Sequence, residues 1–310
     1  MRPGTIVTPG RNLPDPFVLR LHGGYELYVS QTGVNSEQLP TSFSSRFGGW
    51  THFTSALPKA PLWAVRGFTW APDVRRIEGV YVMYFNALAQ KRLYFDPEAR
   101  GLSARAQCIG AATARRAAGP FVARARPLIC DFAGHGAIDP RTFVRRGRLY
   151  LDWKSDNNAG SPAPFPPTQL YAERLTADGL SLAGPPHLLL EADAAWQQEI
   201  VEAPDMIAWH GHYWLFYSGS WYNQPSYGIG VASCATPVGP CRDLSRLGPL
   251  IGSSEEGEGP GEESALAVAP GRWWLLYAPW FDGYAGRRRR PIAVTPLGIG
   301  VDGPRPDERG

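Results

Sequence analysis

Residues 202–220 read EAPDMIAWHGHYWLFYSGS, and this stretch decides the fold. A carboxylate beside a proline opens a short apolar run, which stops at His210–Gly211. A second run then returns, alternating aromatic and aliphatic residues. Period-two alternation on both sides of a turn glycine is the pattern of a β-hairpin with one buried face.

The hairpin is repeated along the chain. Its second strand appears as GYELYVS from Gly24, GVYVMYFNA from Gly79, GRLYLDWKS from Gly147, GHYWLFYSGS from Gly211 and GRWWLLYAPW from Gly271, at intervals of 55, 68, 64 and 60 residues. Its first strand appears as DPFVLRLHG from Asp15, PDVRRIEG from Pro72, DPRTFVRRG from Asp139, EAPDMIAWHG from Glu202 and EESALAVAPG from Glu262. A third strand follows in IGAATARRAAGPF, LYAERLTADG, IGVASCATPVGPC and IAVTPLGIGVDGP. Five such units, starting near residues 12, 68, 137, 200 and 260, predict an all-β, five-bladed β-propeller spanning 1–310 as one domain. A β-sandwich is the alternative for strands of this kind, and five matched units favour the propeller. First strands line a propeller's channel, so the acids that open them are expected to converge at one end of the axis.

Composition agrees. The 35 glycines and 30 prolines make 65 of 310 residues, or 21%, against the usual ~12%, too much punctuation for a helical bundle. With 44% hydrophobic residues and 11 tryptophans the chain can bury a core, which argues against disorder. A net charge of +3 does not point to nucleic acid or an anionic membrane, and no apolar run approaches the ~20 residues of a membrane span. No helix of note is expected. The segments Gln31–Trp63 and Lys154–Thr168 read as loops, and the tail 302–310 as frayed. No secretory leader is visible at the start. Cys108, Cys130, Cys234 and Cys241 lack metal-thiolate spacing; they fit one or two disulfides, with Cys234 and Cys241 close enough for a local one, or four buried thiols.

Asp15, Asp139 and Glu202 open units one, three and four in apolar surroundings, where a lone acid is costly unless paired or used. Converging acids raise one another's pKa, which equips a site for glycoside hydrolysis. Asp73 and Asp205, matched between units in APD, read as turn residues at strand starts.

Taken in order, NLPDPFV, FTWAPDV, GAIDPRTF and IVEAPDM resemble glycoside hydrolase family 43, from about residue 12 to residue 300. The resemblance implies a five-bladed propeller that cleaves α-L-arabinofuranosides or β-xylosides with inversion. QCIGAATARRAAGPF…LICDFAGHGAIDP with DWKSDNN resembles the arabinofuranosidase and arabinanase branch, in which the positions of Cys108 and Cys130 imply a disulfide. Carried over, Asp15 would be the general base, Glu202 the general acid, and Asp139 the residue that orients Glu202 and holds its pKa up. Inversion would set the carboxyls of Asp15 and Glu202 ~6.5–9.5 Å apart.

One departure stands in GPGEES, which puts Glu262 where many members have a histidine. Glu262 could hold a calcium ion in the channel or pair with an arginine; no cofactor is otherwise required. Sugar rings stack on aromatic faces, and Phe17, Trp70, Trp196 and Trp221 are the candidates, while Trp153, Trp209, Trp214, Trp273 and Trp274 fit the core. The run Arg287–Arg290 reads as a solvated turn; in the resembled family an arginine near the last blade often reaches the sugar, which would be Arg290 here. His52, His135 and His212 show no ligand spacing.

The expected activity is exo-acting release of L-arabinofuranose from α-1,5-arabinan or arabino-oligosaccharides. Endo-arabinanase and β-xylosidase are the alternatives, arabinoxylan being a further substrate, and a non-catalytic sugar-binding propeller is the alternative of another class. Fructan hydrolases carry different motifs, and a mannoside phosphorylase would need basic residues converging on phosphate. A monomer is expected, exported if the polymer substrate and cysteines are the guide, with a cytoplasmic location the alternative.

Overall fold

Each hairpin read from the sequence forms, and around it an antiparallel sheet is built. The computed structural model describes residues 1–33, 37–89, 106–159, 164–255, 257–284 and 287–308. Blade one is Phe17–Leu21, Gly24–Tyr28, Pro40–Ser44 and Thr54–Ser55; blade two is Ala64–Ile77, Val80–Ala89, Gln107–Ala114 and Val122–Ala123. Blade three is Ala137–Arg145, Arg148–Ser155, Gln169–Arg174 and His187–Glu191; blade four is Val201–Trp209, His212–Gly219, Gly228–Cys234 and Cys241–Asp243. Blade five is Ser264–Ala269, Arg272–Tyr277 and Ala293–Gly300, whose outer edge is covered by both chain ends: Thr5–Ile6 pairs with Val294 and Ala293, and Gly303–Pro306 with the stretch Leu297–Gly300. The propeller is five-bladed, and the N-terminal segment closes its ring.

Two expectations are corrected. The tail is strand-paired through Pro306, and the N–H of Asp307 donates to the Pro296 carbonyl at 2.8 Å; residues 309 and 310 lie outside the described residues. Gln31–Trp63 is no simple loop, because it holds the two outer strands of blade one. Their sequence PTSFS hides them: Thr41 and Ser42 are buried although polar, and Thr41 Oγ1 donates to Glu26 Oε1 at 2.6 Å. The Lys154–Thr168 segment is a connection after its first two residues, with 160–163 outside the described residues.

The hairpins turn tightly where Glu78–Gly79, Arg146–Gly147 and His210–Gly211 all have positive φ (His210 51°, Gly211 82°), the type I′ geometry that suits the strand twist. Among the described residues helix is confined to the 3₁₀ turn Ala195–Gln197, and no helix is long and apolar enough to cross a membrane.

Five apolar clusters hold the blades together, one at each seam. Tyr28, Trp63, Phe85 and Phe121 fill the seam between blades one and two, and Tyr84, Leu149, Leu151 and Trp153 that between two and three. Phe143 with Leu215 and Tyr217, then Trp209 with Leu275, then Leu27 with Leu276 and Val294 complete the circle. Each fully buried side chain of this size contributes about 1.5–3 kcal/mol. Trp153, Trp209 and Trp214 are buried, and Trp273 and Trp274 pack half-buried on these clusters, as expected. Cys108–Cys130 and Cys234–Cys241 are both disulfide-bonded.

Candidate active site

The innermost strands share an irregularity. Asp15, Ala71, Asp139, Ala203 and Glu262 have φ of 51°, 48°, 56°, 50° and 58°, one left-handed residue at the start of each blade. Four of them precede a proline, and pairing slips by one residue at Trp70/Asp73, Ile138/Arg141 and Glu202/Asp205. These are β-bulges, which re-aim side chains next to functional sites. A non-glycine residue in this conformation costs of order 1–3 kcal/mol and persists only where its surroundings fix it.

The surroundings here are a closed ring of hydrogen bonds. The N–H of Ala71 donates to Ser30 Oγ at 2.7 Å, that of Asp139 to Asn86 Oδ1 at 3.3 Å, and that of Ala203 to Asp139 Oδ2 at 2.9 Å. The N–H of Glu262 donates to Ser218 Oγ and that of Asp15 to Glu262 Oε2, both at 2.9 Å. Each blade's bulge is thus held by a side chain of the blade before it. Asp15, Asp139 and Glu262 occupy equivalent places, and Glu202 stands one residue earlier, level with Trp70, Ile138 and Gly261.

The acids converge at this end of the channel. Burial, then the charges of Glu262 and Asp139, raise the Asp15 carboxyl well above the usual carboxylate range, while the Ser30 hydroxyl, which donates to Asp15 Oδ2, and Arg290 pull it down. Burial, then the Glu202 charge, raise Asp139 to about 7 against the pull of Lys154 and the Ala203 N–H.

Glu202 is held at both oxygens. The Tyr227 hydroxyl donates to Oε1 at 2.6 Å, and Lys154 Nζ lies 3.4 Å from Oε2. Tyr227 fits because residue 261 is glycine: a Cβ there would stand 2.0 Å from Tyr227 Cε1. Sequence reasoning missed Lys154 and Tyr227, as it missed Ser30, Asn86 and Ser218. A signal did exist, since Ser30, Asn86, Lys154 and Ser218 each follow a left-handed turn glycine by seven residues.

Arg290 and Glu262 form an ion pair at the blade-five bulge. The Arg290 Nε and Nη2 also donate to the Ala278 carbonyl at 3.0 and 2.7 Å, and its guanidinium lies 5.0 Å from the Trp280 ring centroid. Both Glu262 oxygens therefore have protein donors, and the arginine pairing stands in place of the calcium considered for Glu262. A calcium ion takes six to eight oxygen ligands; no group of three or more His, Cys, Asp or Glu suited to a metal occurs among the described residues, and the site does not fit one. Arg287–Arg289 is a strand paired with Phe281–Tyr284, not a turn; the side chains of Arg287 and Arg288 lie outside the described residues.

Residues 6–292 match the profile of Glycosyl hydrolases family 43. The chain belongs to that family. A thermostable family-43 glycoside hydrolase superposes with a TM-score of 0.81 at 22% identity, covering 99% of this chain and 96% of that one. An α-L-arabinofuranosidase from Lactobacillus brevis gives 0.75 at 19% (100% and 98% covered), and an endo-1,4-β-xylanase from Bacteroides thetaiotaomicron 0.75 at 20% (98% and 97%). No curated protein matches.

In this family-43 propeller the aromatic candidates separate. Trp70 is half-buried and level with Glu202. Trp221 lies on the connection that also carries Tyr227, 37% exposed and edge-on to Phe165 at 5.5 Å. The other two lie elsewhere. Trp196 stacks on Tyr217 at 6.1 Å and donates to the Ser245 carbonyl at 2.6 Å, packing on the blade-three/blade-four cluster instead of the rim. Phe17, two residues past its bulge, lies against Arg141 at 5.1 Å and lines the opposite side of the bulge ring.

That side is a cavity of about 240 Å³ bounded by Phe17, Asp73, Arg141 and Asp205. Asp73 and Asp205 are more than turn residues. They flank Arg141 at 3.7 and 3.9 Å, and Asp205 Oδ2 accepts the Ala265 N–H at 2.7 Å. Burial raises Asp205 to about 6 despite Arg141. The two channel ends thus differ: one presents Asp15, Asp139, Glu202 and Glu262 with a lysine, an arginine and a tyrosine, the other Asp73 and Asp205 on either side of Arg141.

Proposed function

We propose that this family-43 glycosidase is an exo-acting, inverting α-L-arabinofuranosidase that releases arabinose from α-1,5-linked arabinan or arabino-oligosaccharides. Asp15 acts as the base, Glu202 as the acid, and Asp139 orients Glu202 through the Ala203 N–H. In one displacement the water oxygen bonds to the anomeric carbon and gives its proton to Asp15. The glycosidic C–O bond breaks on the opposite face, and the departing oxygen takes the proton of Glu202, so the α-glycoside yields the β-sugar. Trp70 and Trp221 supply stacking faces, and Arg290 is the cation beside the base.

The observation that carries the reading is the ring of bulges that ties Asp15, Asp139 and the Glu202 strand together at one channel end. Arabinose is favoured over xylose by the branch motifs around Cys108 and Asp139, since the likeness in fold is equal for the Lactobacillus brevis arabinofuranosidase and the Bacteroides thetaiotaomicron xylanase. The reading extends to location, since two disulfides are expected of a protein in an oxidising compartment.

Chromatography of the products from linear α-1,5-arabinan over time tests it. Arabinose alone from the first time point is expected. An oligosaccharide ladder would mean endo action, and no product would redirect the search to β-xylosides and then to sugar binding without turnover.

A further inference from the structure

Lys154 is 1% exposed, in a class of side chain almost never fully buried unless paired. It stands in blade three where the other blades carry Ser30, Asn86, Ser218 and Ala278. Ser30, Asn86 and Ser218 each accept the N–H of the next bulge. An ammonium has three donors and no acceptor, so Lys154 cannot do this. Asp139 takes the Ala203 N–H instead, and Lys154 is free to be used otherwise.

Its ammonium points to one place. Nζ donates to Asn158 Oδ1 at 2.9 Å and lies 3.5 Å from Asp156 Oδ1, two groups that fix it, and 3.4 Å from Glu202 Oε2. Burial disfavours the charge, but the summed attraction of Glu202, Asp156 and Asp139 overcomes that and raises the lysine's pKa. The cation persists through the range in which a carboxyl titrates.

We propose that Lys154 is the positioning residue of the acid: with Tyr227 on Oε1, it holds Glu202 at Oε2 and stabilises the carboxylate left when the proton passes to the departing sugar oxygen. This rests on the reading of Glu202 given above. The groups facing Glu202 are Lys154 and Asp139 from blade three and Tyr227 from blade four, with Asp156 behind the lysine, Glu262 behind the tyrosine and His135 beyond Asp156. Of these, Lys154 alone is a cation in contact with Glu202. Removing it disfavours the ionised acid, so the alkaline limb of kcat moves to higher pH.

The test compares wild type, Lys154→Met and Lys154→Arg on a methyl and a nitrophenyl α-L-arabinofuranoside, the β-xylosides replacing them if both are inert. Nitrophenolate leaves without a proton, whereas methoxide must be protonated. Lys154→Met is expected to lose at least about tenfold more kcat on the methyl than on the nitrophenyl glycoside, a fraction of the 10²–10⁴ that acid catalysis supplies. Its alkaline limb should rise, and Lys154→Arg should recover part of both effects. Lys154→Gln, which keeps a donor for Asn158, is read the same way if Lys154→Met melts early. Equal losses on both glycosides with an unmoved limb would overturn the proposal while leaving the hydrolase reading intact. A wild type inert on every glycoside would overturn the hydrolase reading itself, and the role of Lys154 with it.

Discussion

Ser30 binds Asp15 through the same hydroxyl that fixes the neighbouring blade: it donates to Asp15 Oδ2 and accepts the Ala71 N–H. The candidate base is therefore aimed by a residue that also holds the blade-two bulge, so its geometry belongs to the propeller and not to one loop.

Ser30→Ala removes the hydrogen bond that favours ionised Asp15, against a burial that already raises its pKa. The acid limb of kcat/KM should move to higher pH, and activity below the optimum should fall by about tenfold for each pKa unit. A pH–rate profile with an unmoved acid limb would separate Ser30 from the base.

Gly261→Ala should push Tyr227 off Glu202, because the new Cβ would stand 2.0 Å from the ring. Overpacking of this kind costs about 1–3 kcal/mol, to be read as a fall in Tm together with lost activity. Tyr227→Phe removes only the hydroxyl, so it should keep more of the Tm than Gly261→Ala does.

Arg290→Ala leaves Glu262 buried beside Asp15 without its counter-ion. Breaking such a pair costs about 3–5 kcal/mol, which denaturant titration would detect. Because Glu262 is already paired, treatment with EDTA and addition of calcium should both leave Tm unchanged; a rise in Tm with calcium would contradict the pairing.

Asp205 ties pH to stability. Its folded pKa of about 6 lies above the ordinary 3.8, so the folded state holds this proton more tightly than the unfolded chain. Its contribution is full below pH 4 and is lost as pH rises from about 4 to about 6. Asp205→Asn does not titrate, and its Tm difference between pH 4.5 and 7 should be smaller than that of wild type.

What the sequence disclosed and what it hid have physical causes. The hairpins were legible because one face of each second strand is buried at a seam, which forces alternation. The blade-one strand Pro40–Ser44 escaped notice because its buried residues Thr41 and Ser42 are polar, Thr41 being accommodated by its hydrogen bond to Glu26. Asp15 and Asp139 announced themselves through the proline that follows a left-handed bulge residue. The one-residue offset of Glu202 did not, since it exists only relative to the bulge. Lys154 reads as the first residue of a loop until its three partners are assembled, and Trp196 reads as a sugar-stacking face until Tyr217 lies beneath it. Arg290 could be named only through the family resemblance, and its pairing with Glu262, 28 residues earlier, became visible only in the fold.

The central claim is a single displacement run by Asp15 and Glu202. It is tested most directly by proton NMR of the first sugar released from an α-L-arabinofuranoside, recorded before mutarotation. The account predicts the β-anomer, the outcome of a single displacement with base and acid on opposite faces of the sugar. The α-anomer appearing first would mean retention through a covalent intermediate, and would contradict the assignment of Asp15 as base.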